Sequence, residues 1–286
     1  MMDSVQDRIA QARRTLVAAG ISTQAAGFDA EVLARHALGW DRATLLTRGR
    51  EPGPDHFEAR FAALLTRRAA REPVALIVGR REFWGLDFEV TSDVLIPRPE
   101  TEFIVEEALD VVRQGHVVRT VIDVGTGSGC VAVALATELP HAAVTATDVS
   151  SAALVVARRN AVRHGVAGRM RFITADLLAG LALRVDLIVA NPPYVPSTAA
   201  AGLLPEVARY EPTEALYGGA DGLGLIRRLL AEASARLLSG GRLIFEFGDG
   251  QEADVLTAAE SAGWTILNVR NDLQDIARIV TLRRDA

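Results

Sequence analysis

Val121-Ile122-Asp123-Val124-Gly125-Thr126-Gly127-Ser128-Gly129-Cys130 reads as an apolar strand running into a glycine-rich turn and then into a helix. Glycine reaches backbone conformations closed to other residues and lets a ligand approach the main chain. In a doubly wound sheet such a turn lies at the carboxyl end of the first strand, where ligands bind. The spacing is G-x-G-x-G, from Gly125, Gly127 and Gly129, and differs from the G-x-G-x-x-G of dinucleotide folds. No pyrophosphate has to be cradled, and Asp123 just before the turn suits the ammonium group of a cationic ligand. The candidate cofactor contacts here are Asp123, Gly125, Thr126, Gly127, Ser128 and Gly129. Cys130 reads as a small packed residue at the helix start rather than as a nucleophile.

Outward from this turn, strands and helices alternate, the pattern of an α/β doubly wound, Rossmann-like sheet. Strands are predicted near 119–124, 143–148, 169–173, 185–190, 241–247, 264–269 and 277–283, seven in all. Helices are predicted near 129–138, 151–164, 222–239 and 250–262. Only Asn271 to Asp275 joins the last two strands, which permits a hairpin but no parallel crossover. The last strand is therefore predicted antiparallel, the arrangement of methyltransferase sheets rather than of dinucleotide-binding ones.

Asp148 ends the second strand of this series, where a carboxylate can accept from both ribose hydroxyls of a nucleoside. It could alternatively cap the helix that follows. Asp176, after the third strand, is placed to meet an adenine amino group, with Leu177 against the ring. Asn191-Pro192-Pro193-Tyr194 follows the apolar strand 185–190. Its prolines remove two donors and stiffen the turn, leaving main-chain carbonyls free to accept. The Asn191 side-chain oxygen and the Pro192 carbonyl can together hold an –NH2 group, while Tyr194 stacks on its flat face. An amide nitrogen is a poor nucleophile because its lone pair is delocalised. Aiming that lone pair at a sulfonium methyl allows in-line displacement, and orientation can supply roughly 7–11 kcal/mol of such a barrier.

The first seventy or so residues carry a different period. Val5, Ile9, Ala12 and Leu16 fall on one helical stripe, as do Phe57, Phe61, Leu64 and Leu65, with a further apolar-faced segment over 29–38. A small helical docking domain is predicted over residues 1–72, then a hairpin linker over 73–95 with extended segments at 75–81 and 83–90, then the main domain over 96–286. In Ile96-Pro97-Arg98-Pro99-Glu100-Thr101-Glu102 the prolines fix an extended stretch, and the acids that follow suit a helix N-terminus.

Composition is that of an ordinary globular protein, 49% hydrophobic and 23% charged over 286 residues. No apolar run is long enough to span a bilayer. The start Met1-Met2-Asp3-Ser4-Val5-Gln6-Asp7-Arg8 does not read as a secretory signal. A single cysteine excludes an internal disulfide and suits a reducing cytoplasm. The five histidines lack metal-ligand spacing. Net charge is −5, against a broad nucleic-acid surface. It is uneven: residues 1–72 hold 11 Arg and 9 acids, net +2, and the remainder holds 20 Arg and 27 acids, net −7.

With these residues in view, the chain resembles the HemK/PrmC family of peptide chain release factor glutamine methyltransferases over nearly its full length. Asn191 to Tyr194 alone is shared with DNA adenine and rRNA guanine amino-methyltransferases, so it marks chemistry rather than substrate. The more specific signals are the 96–102 segment, Tyr210-Glu211-Pro212 with Ala215-Leu216, Gly218-Gly219-x-Asp221-Gly222-Leu223, Gly240-Gly241, and Glu246-x-Gly248-x-x-Gln251. Relatives acting on ribosomal protein L3 usually differ in the 96–102 segment, which favours the release-factor branch. The resemblance implies S-adenosylmethionine as cofactor, bound by Gly125 to Gly129, Asp148, Asp176, Leu177 and Asn191. It implies a substrate glutamine held by Asn191, Pro192, Pro193 and Tyr194, in the Gly-Gly-Gln loop of class 1 release factors. Asn191, Pro192 and Tyr194 are the expected catalytic residues. A cytoplasmic monomer without membrane or stable nucleic-acid binding is expected. The alternatives are an amino group of a nucleic-acid base or a ribosomal-protein glutamine. One departure stands out: Asp275 occupies a position where the family usually has Gly, in a late Asp-x-x-Gly-x-x-Arg pattern.

Overall fold

A computed structural model of the chain describes residues 3–284; Met1 and Met2, which open the stretch read as non-secretory, lie outside the described residues. The chain divides into two compact units. One runs up to Arg80 and includes Leu204–Tyr210; the other comprises Arg81–Leu203 and the chain from Glu211.

The first unit is helical, with α1 (Val5–Ala18), α2 (Thr23–Leu38), α3 (Arg42–Arg48), α4 (Phe57–Ala69) and α5 (Val74–Val78). Ser4, Ser22 and Asp41 accept from backbone N–H groups of the first turns of α1, α2 and α3, satisfying donors that have no intrahelical partner. The expected stripes form the core: Val5, Ala12, Leu16, Phe57 and Phe61 are buried, and Ile9, Leu64 and Leu65 pack against them. The extended segment expected at 75–81 is instead α5 followed by the start of a strand. Its β-branched residues favour strands only weakly. One helical turn buries Ile77 in this core, and Gly79 at φ +72° closes it in the left-handed conformation.

The second unit opens with a hairpin, β1 (Arg80–Phe83) and β2 (Leu86–Glu89). It turns on Trp84 and Gly85, both at positive φ, a geometry whose twist matches that of paired strands. Then follow α6 (Glu102–Arg113), β3 (Thr120–Val124), α7 (Cys130–Glu138), β4 (Ala143–Asp148), α8 (Ser151–Arg163) and β5 (Met170–Thr174). The chain continues through β6 (Val185–Ala190), α9 (Pro205–Tyr210), α10 (Gly224–Ala233) and β7 (Leu237–Glu246). It ends with α11 (Glu252–Ser261), β8 (Trp264–Asn271) and β9 (Ala277–Arg284).

The seven strands order as β5-β4-β3-β6-β7-β9-β8, with β9 antiparallel to both β7 and β8 and the other pairs parallel. Chain order reverses at β3, so its carboxyl end is the switch point where ligands of such sheets bind. The helix expected over 222–239 stops at Ala233. Leu237 pairs with Val185 and is buried, and Gly240 at φ +76° lets the strand bulge before the pairing resumes at Arg242.

α9, not anticipated from the sequence, belongs with the helical unit. Glu206 accepts from Arg68 at 3.1 Å and Arg71 at 2.7 Å, Arg68 also donates to Asp29 at 2.7 Å, and the Tyr210 hydroxyl donates to the Ala70 carbonyl. Asp275, at the family's usual glycine position, sits at φ +63° in the β8–β9 hairpin. Asp tolerates that conformation better than most residues, and Asn271 Nδ2 donates to its carboxylate at 2.8 Å. Among the described residues no helix is long and apolar enough to cross a membrane, and no group of three or more His, Cys, Asp or Glu could hold a metal.

Candidate active site

Strand register brings the predicted residues together. Val124 pairs with Thr147 on one side and Ala190 on the other, so Gly125, Asp148 and Asn191 leave the sheet from adjacent positions on three neighbouring strands. Asp148 also pairs with Thr174 on β5, which places Asp176 just beyond the same edge.

Gly125 and Gly127 lie at φ +69° and +53°, and a Cβ at either would meet nothing within 4 Å. Here the turn leaves its backbone open. Gly129 differs: a Cβ there would stand 3.0 Å from the Ala157 Cβ, so this glycine allows α7 to approach α8. Asp123 is 2% exposed, and its carboxylate accepts from Thr126 Oγ1 at 2.6 Å. Burial pushes its carboxyl up to about 7, against the Thr126 hydrogen bond, which favours the charged form. Asp123 and Thr126 thus brace the turn from within, and the Thr126 N–H donates to Thr147 O at 2.8 Å.

Asp148 accepts from the Gly127 N–H and the Ser150 N–H, each at 2.9 Å. Capping of α8 falls to Ser150, which accepts from the Ala153 N–H. A carboxylate has about four lone-pair sites, so Asp148 keeps capacity for hydroxyl donors. Burial raises its carboxyl above the usual range. Asp176 forms an exposed ion pair with Arg228 at 3.0 Å, and Leu177 stands at φ +52°. The Ser128 carbonyl accepts from the fully buried Asn160 at 2.8 Å, while the buried Ser128 hydroxyl has no partner among the described residues. The Cys130 thiol is buried and pushed up to about 12, which leaves no thiolate at neutral pH.

The tetrapeptide beside this turn is held by distant segments. Asn191 Nδ2 donates to Thr101 Oγ1 at 2.9 Å, and Thr101 Oγ1 donates to Glu246 Oε2 at 2.6 Å. The Tyr194 hydroxyl donates to Glu246 Oε1 at 2.9 Å. Glu246 is 1% exposed, and burial raises its carboxyl while Thr101 and Tyr194 oppose the shift. Burial, reinforced by Glu246, likewise raises the Tyr194 phenol. Gln251 Nε2 donates to the Tyr194 carbonyl at 3.0 Å, and Gln251 Oε1 accepts from the Gly248 N–H at 2.8 Å.

Two glycines press on the same backbone. A Cβ at Gly218 would fall 2.5 Å from the Pro193 carbonyl oxygen, and one at Gly222 would fall 2.3 Å from that of Tyr194. Arg98 donates to both carboxylate oxygens of the buried Glu211, at 2.6 and 2.7 Å, tying the 96–102 segment to the Tyr210-Glu211-Pro212 motif. Thr101, Glu246, Gln251, Gly218 and Gly222 were all within motifs quoted from the sequence, but without a role. The available signal was Glu246 itself, an acid ending the apolar strand run Leu243-Ile244-Phe245.

The site fits an adenosyl ligand: an open glycine backbone, a carboxylate with spare acceptor capacity on the adjacent strand, and Leu177 beyond it. With β9 reversed against β7, the sheet is that of the S-adenosylmethionine-dependent methyltransferases. Family models match at residues 7–79 (PrmC N-terminal domain) and 101–205 (Methyltransferase small domain). The release factor glutamine methyltransferase of Cereibacter sphaeroides is 45% identical over 280 residues, 98% of each chain. That of Burkholderia pseudomallei is 46% identical over 262 residues, 87% of this chain and 89% of the other. Among solved structures, a ribosomal protein L11 methylase from Lactobacillus delbrueckii subsp. bulgaricus superposes with a TM-score of 0.51 at 22% identity, covering 69% of this chain and 84% of the other, which speaks for the fold alone. Near full-length identity at this level settles membership: the chain belongs to the release factor glutamine methyltransferase family.

Proposed function

We propose that this protein transfers a methyl group from S-adenosylmethionine to the side-chain amide nitrogen of the glutamine in the Gly-Gly-Gln loop of class 1 peptide chain release factors. The observation that carries the reading is the Asn191 amide. Its Nδ2 end is held by Thr101 at 2.9 Å, and among the described residues no donor reaches its Oδ1 end. That oxygen is left to accept from a substrate N–H, together with the Pro192 carbonyl, to which no backbone N–H of the described residues donates. Two acceptors fixed at a strand end suit a primary amide, whose planar –NH2 offers two donors. Tyr194 and Pro193 supply the face against which such a group lies flat.

Gly125, Thr126, Gly127, Ser128 and Gly129 would hold the cofactor on a turn whose backbone is open at Gly125 and Gly127, with Asp148 at the ribose, and Asp176 and Leu177 at the base. Asp123 would act by fixing Thr126. When bound, the cofactor supplies an electrophilic methyl group on a sulfonium. The protein's own contribution is orientation: Asn191 and Pro192 keep the weakly nucleophilic nitrogen in one pose, removing freedom that otherwise raises the barrier. No residue needs to act as a strong base, because proton loss can follow transfer. The first unit, matched by the PrmC N-terminal domain, is assigned to docking the release factor.

Incubation with methyl-labelled cofactor and either a purified release factor or total RNA tests the substrate. Label is expected in the release factor, and a Gly-Gly-Ala variant of its loop should abolish it. Label confined to RNA would overturn the reading.

A further inference from the structure

We infer that the Glu246 carboxylate, acting through the Thr101 hydroxyl, decides which end of the Asn191 amide faces the substrate, making Glu246 and Thr101 positioning residues for the methyl transfer. The inference rests on the amide-clamp reading above and deepens it. A threonine hydroxyl carries one proton and two lone pairs, whereas a carboxylate only accepts. At 2.6 Å from Glu246 Oε2, the single Thr101 proton is committed to the carboxylate. Toward Asn191, 2.9 Å away, Thr101 can then only accept. The amide must present its –NH2 there, and its oxygen becomes the free end. Without this constraint an amide is nearly symmetric in shape and could turn over, offering a donor where the substrate also offers donors.

The same carboxylate fixes a second member of the tetrapeptide. Its other oxygen accepts the Tyr194 hydroxyl at 2.9 Å, so one buried group orients both Asn191 and Tyr194. Glu246 is 1% exposed and Thr101 is 3% exposed, so these bonds lie away from bulk solvent. A buried carboxylate that only tied the 96–102 segment to β7 would be a costly device for the purpose. The polarity of the relay, acceptor to donor to acceptor, is what an apolar contact cannot reproduce.

The test compares isosteric and conservative changes in the full-length protein, with Asn191→Ala as reference. Each variant is assayed for kcat and KM with a release factor and for cofactor affinity by calorimetry. Thr101→Val keeps the shape and removes the hydroxyl; kcat is expected to fall on the order of 10²-fold, in line with loss of one preorganised polar contact. KM for the cofactor and its affinity should stay within about threefold, and Thr101→Ser should restore most of the turnover. Glu246→Gln should lower kcat by up to the Thr101→Val extent, because its amide keeps one acceptor oxygen for the two hydroxyls of Thr101 and Tyr194. Should Glu246→Gln fail to fold, the Val and Ser variants at 101 decide alone. Equal turnover in those two variants, or a Thr101→Val defect lying in cofactor binding, would overturn the relay. The clamp itself stands or falls separately: near-wild-type turnover in Asn191→Ala sinks the clamp, whereas an inactive Asn191→Ala beside an active Thr101→Val sinks only the relay.

Discussion

Around the glycine turn, partners come from nearby in the chain. Thr126 reaches back three positions to Asp123, and Asp148 meets Gly127 across 21 positions between adjacent strands. Around Asn191 to Tyr194 they come from far away: Thr101 lies 90 positions from Asn191, and Glu246 and Gln251 lie 52 and 57 from Tyr194. The first region is complete once three parallel strands have paired. The second exists only after the 96–102 segment, the Gly218–Gly222 loop and the end of β7 have all closed on it. The difference teaches that the methyl-donor side belongs to the fold, while the methyl-acceptor side is assembled by the particular chain. Damage to the first should therefore appear in cofactor affinity, and damage to the second in turnover.

Asn191→Ala should break the comparison most sharply, lowering kcat on the order of 10²–10³-fold with a smaller change in cofactor affinity, as single-turnover kinetics would show. Gly222→Ala comes next. Its Cβ would lie 2.3 Å from the Tyr194 carbonyl oxygen and 2.6 Å from Gln251 Nε2, at φ +80°. The tetrapeptide must shift, so turnover should fall on the order of 10²-fold and stability by roughly 1–3 kcal/mol in a denaturant titration. Gly127→Ala, at φ +53° but in open space, should cost only about 1–2 kcal/mol and act on cofactor binding. An equal turnover defect in both glycine variants would erase the distinction between the two regions.

Asp148→Asn sharpens the other side. Losing a charged acceptor costs about 1.5–3 kcal/mol, so the cofactor dissociation constant should rise roughly 10–100-fold in calorimetry while kcat holds. A further prediction concerns the pH dependence of stability. Asp123 has a folded carboxyl pushed up to about 7, so the folded chain binds its proton more tightly than the unfolded chain. That contribution is fully present below about pH 4 and is lost as pH rises through about 7. Asp123→Asn should flatten the curve there, gaining on the wild type by at most about 1.4 kcal/mol per pH unit. Parallel melting curves for the two proteins from pH 5 to 8 would contradict this, on about that scale of resolution.

Much of the second unit was legible because its signals are local. The alternation of apolar strands with helices marked all seven strands, and the short Asn271 to Asp275 connection forced the reversed last strand. The β-branched Val74 to Val78 run misled, since Gly79 and the burial of Ile77 make it a helical turn. The 222–239 helix was read too long because Leu237, apolar and in helical phase, pairs with Val185 instead. α9 was invisible: six residues are too few for a periodic signal, and Glu206 reveals itself only beside Arg68 and Arg71.

By itself the sequence determined the glycine turn, the acids at successive strand ends and the Asn191 to Tyr194 tetrapeptide, because each is a short run whose chemistry travels with its neighbours. Only the tertiary structure decided what those residues lean on. A hydrogen bond such as that from Thr101 to Glu246 spans 145 positions, and no periodicity encodes it. It arises where loop closure brings a 3₁₀ turn over the end of a strand, and there one buried carboxylate can set the polarity of two side chains.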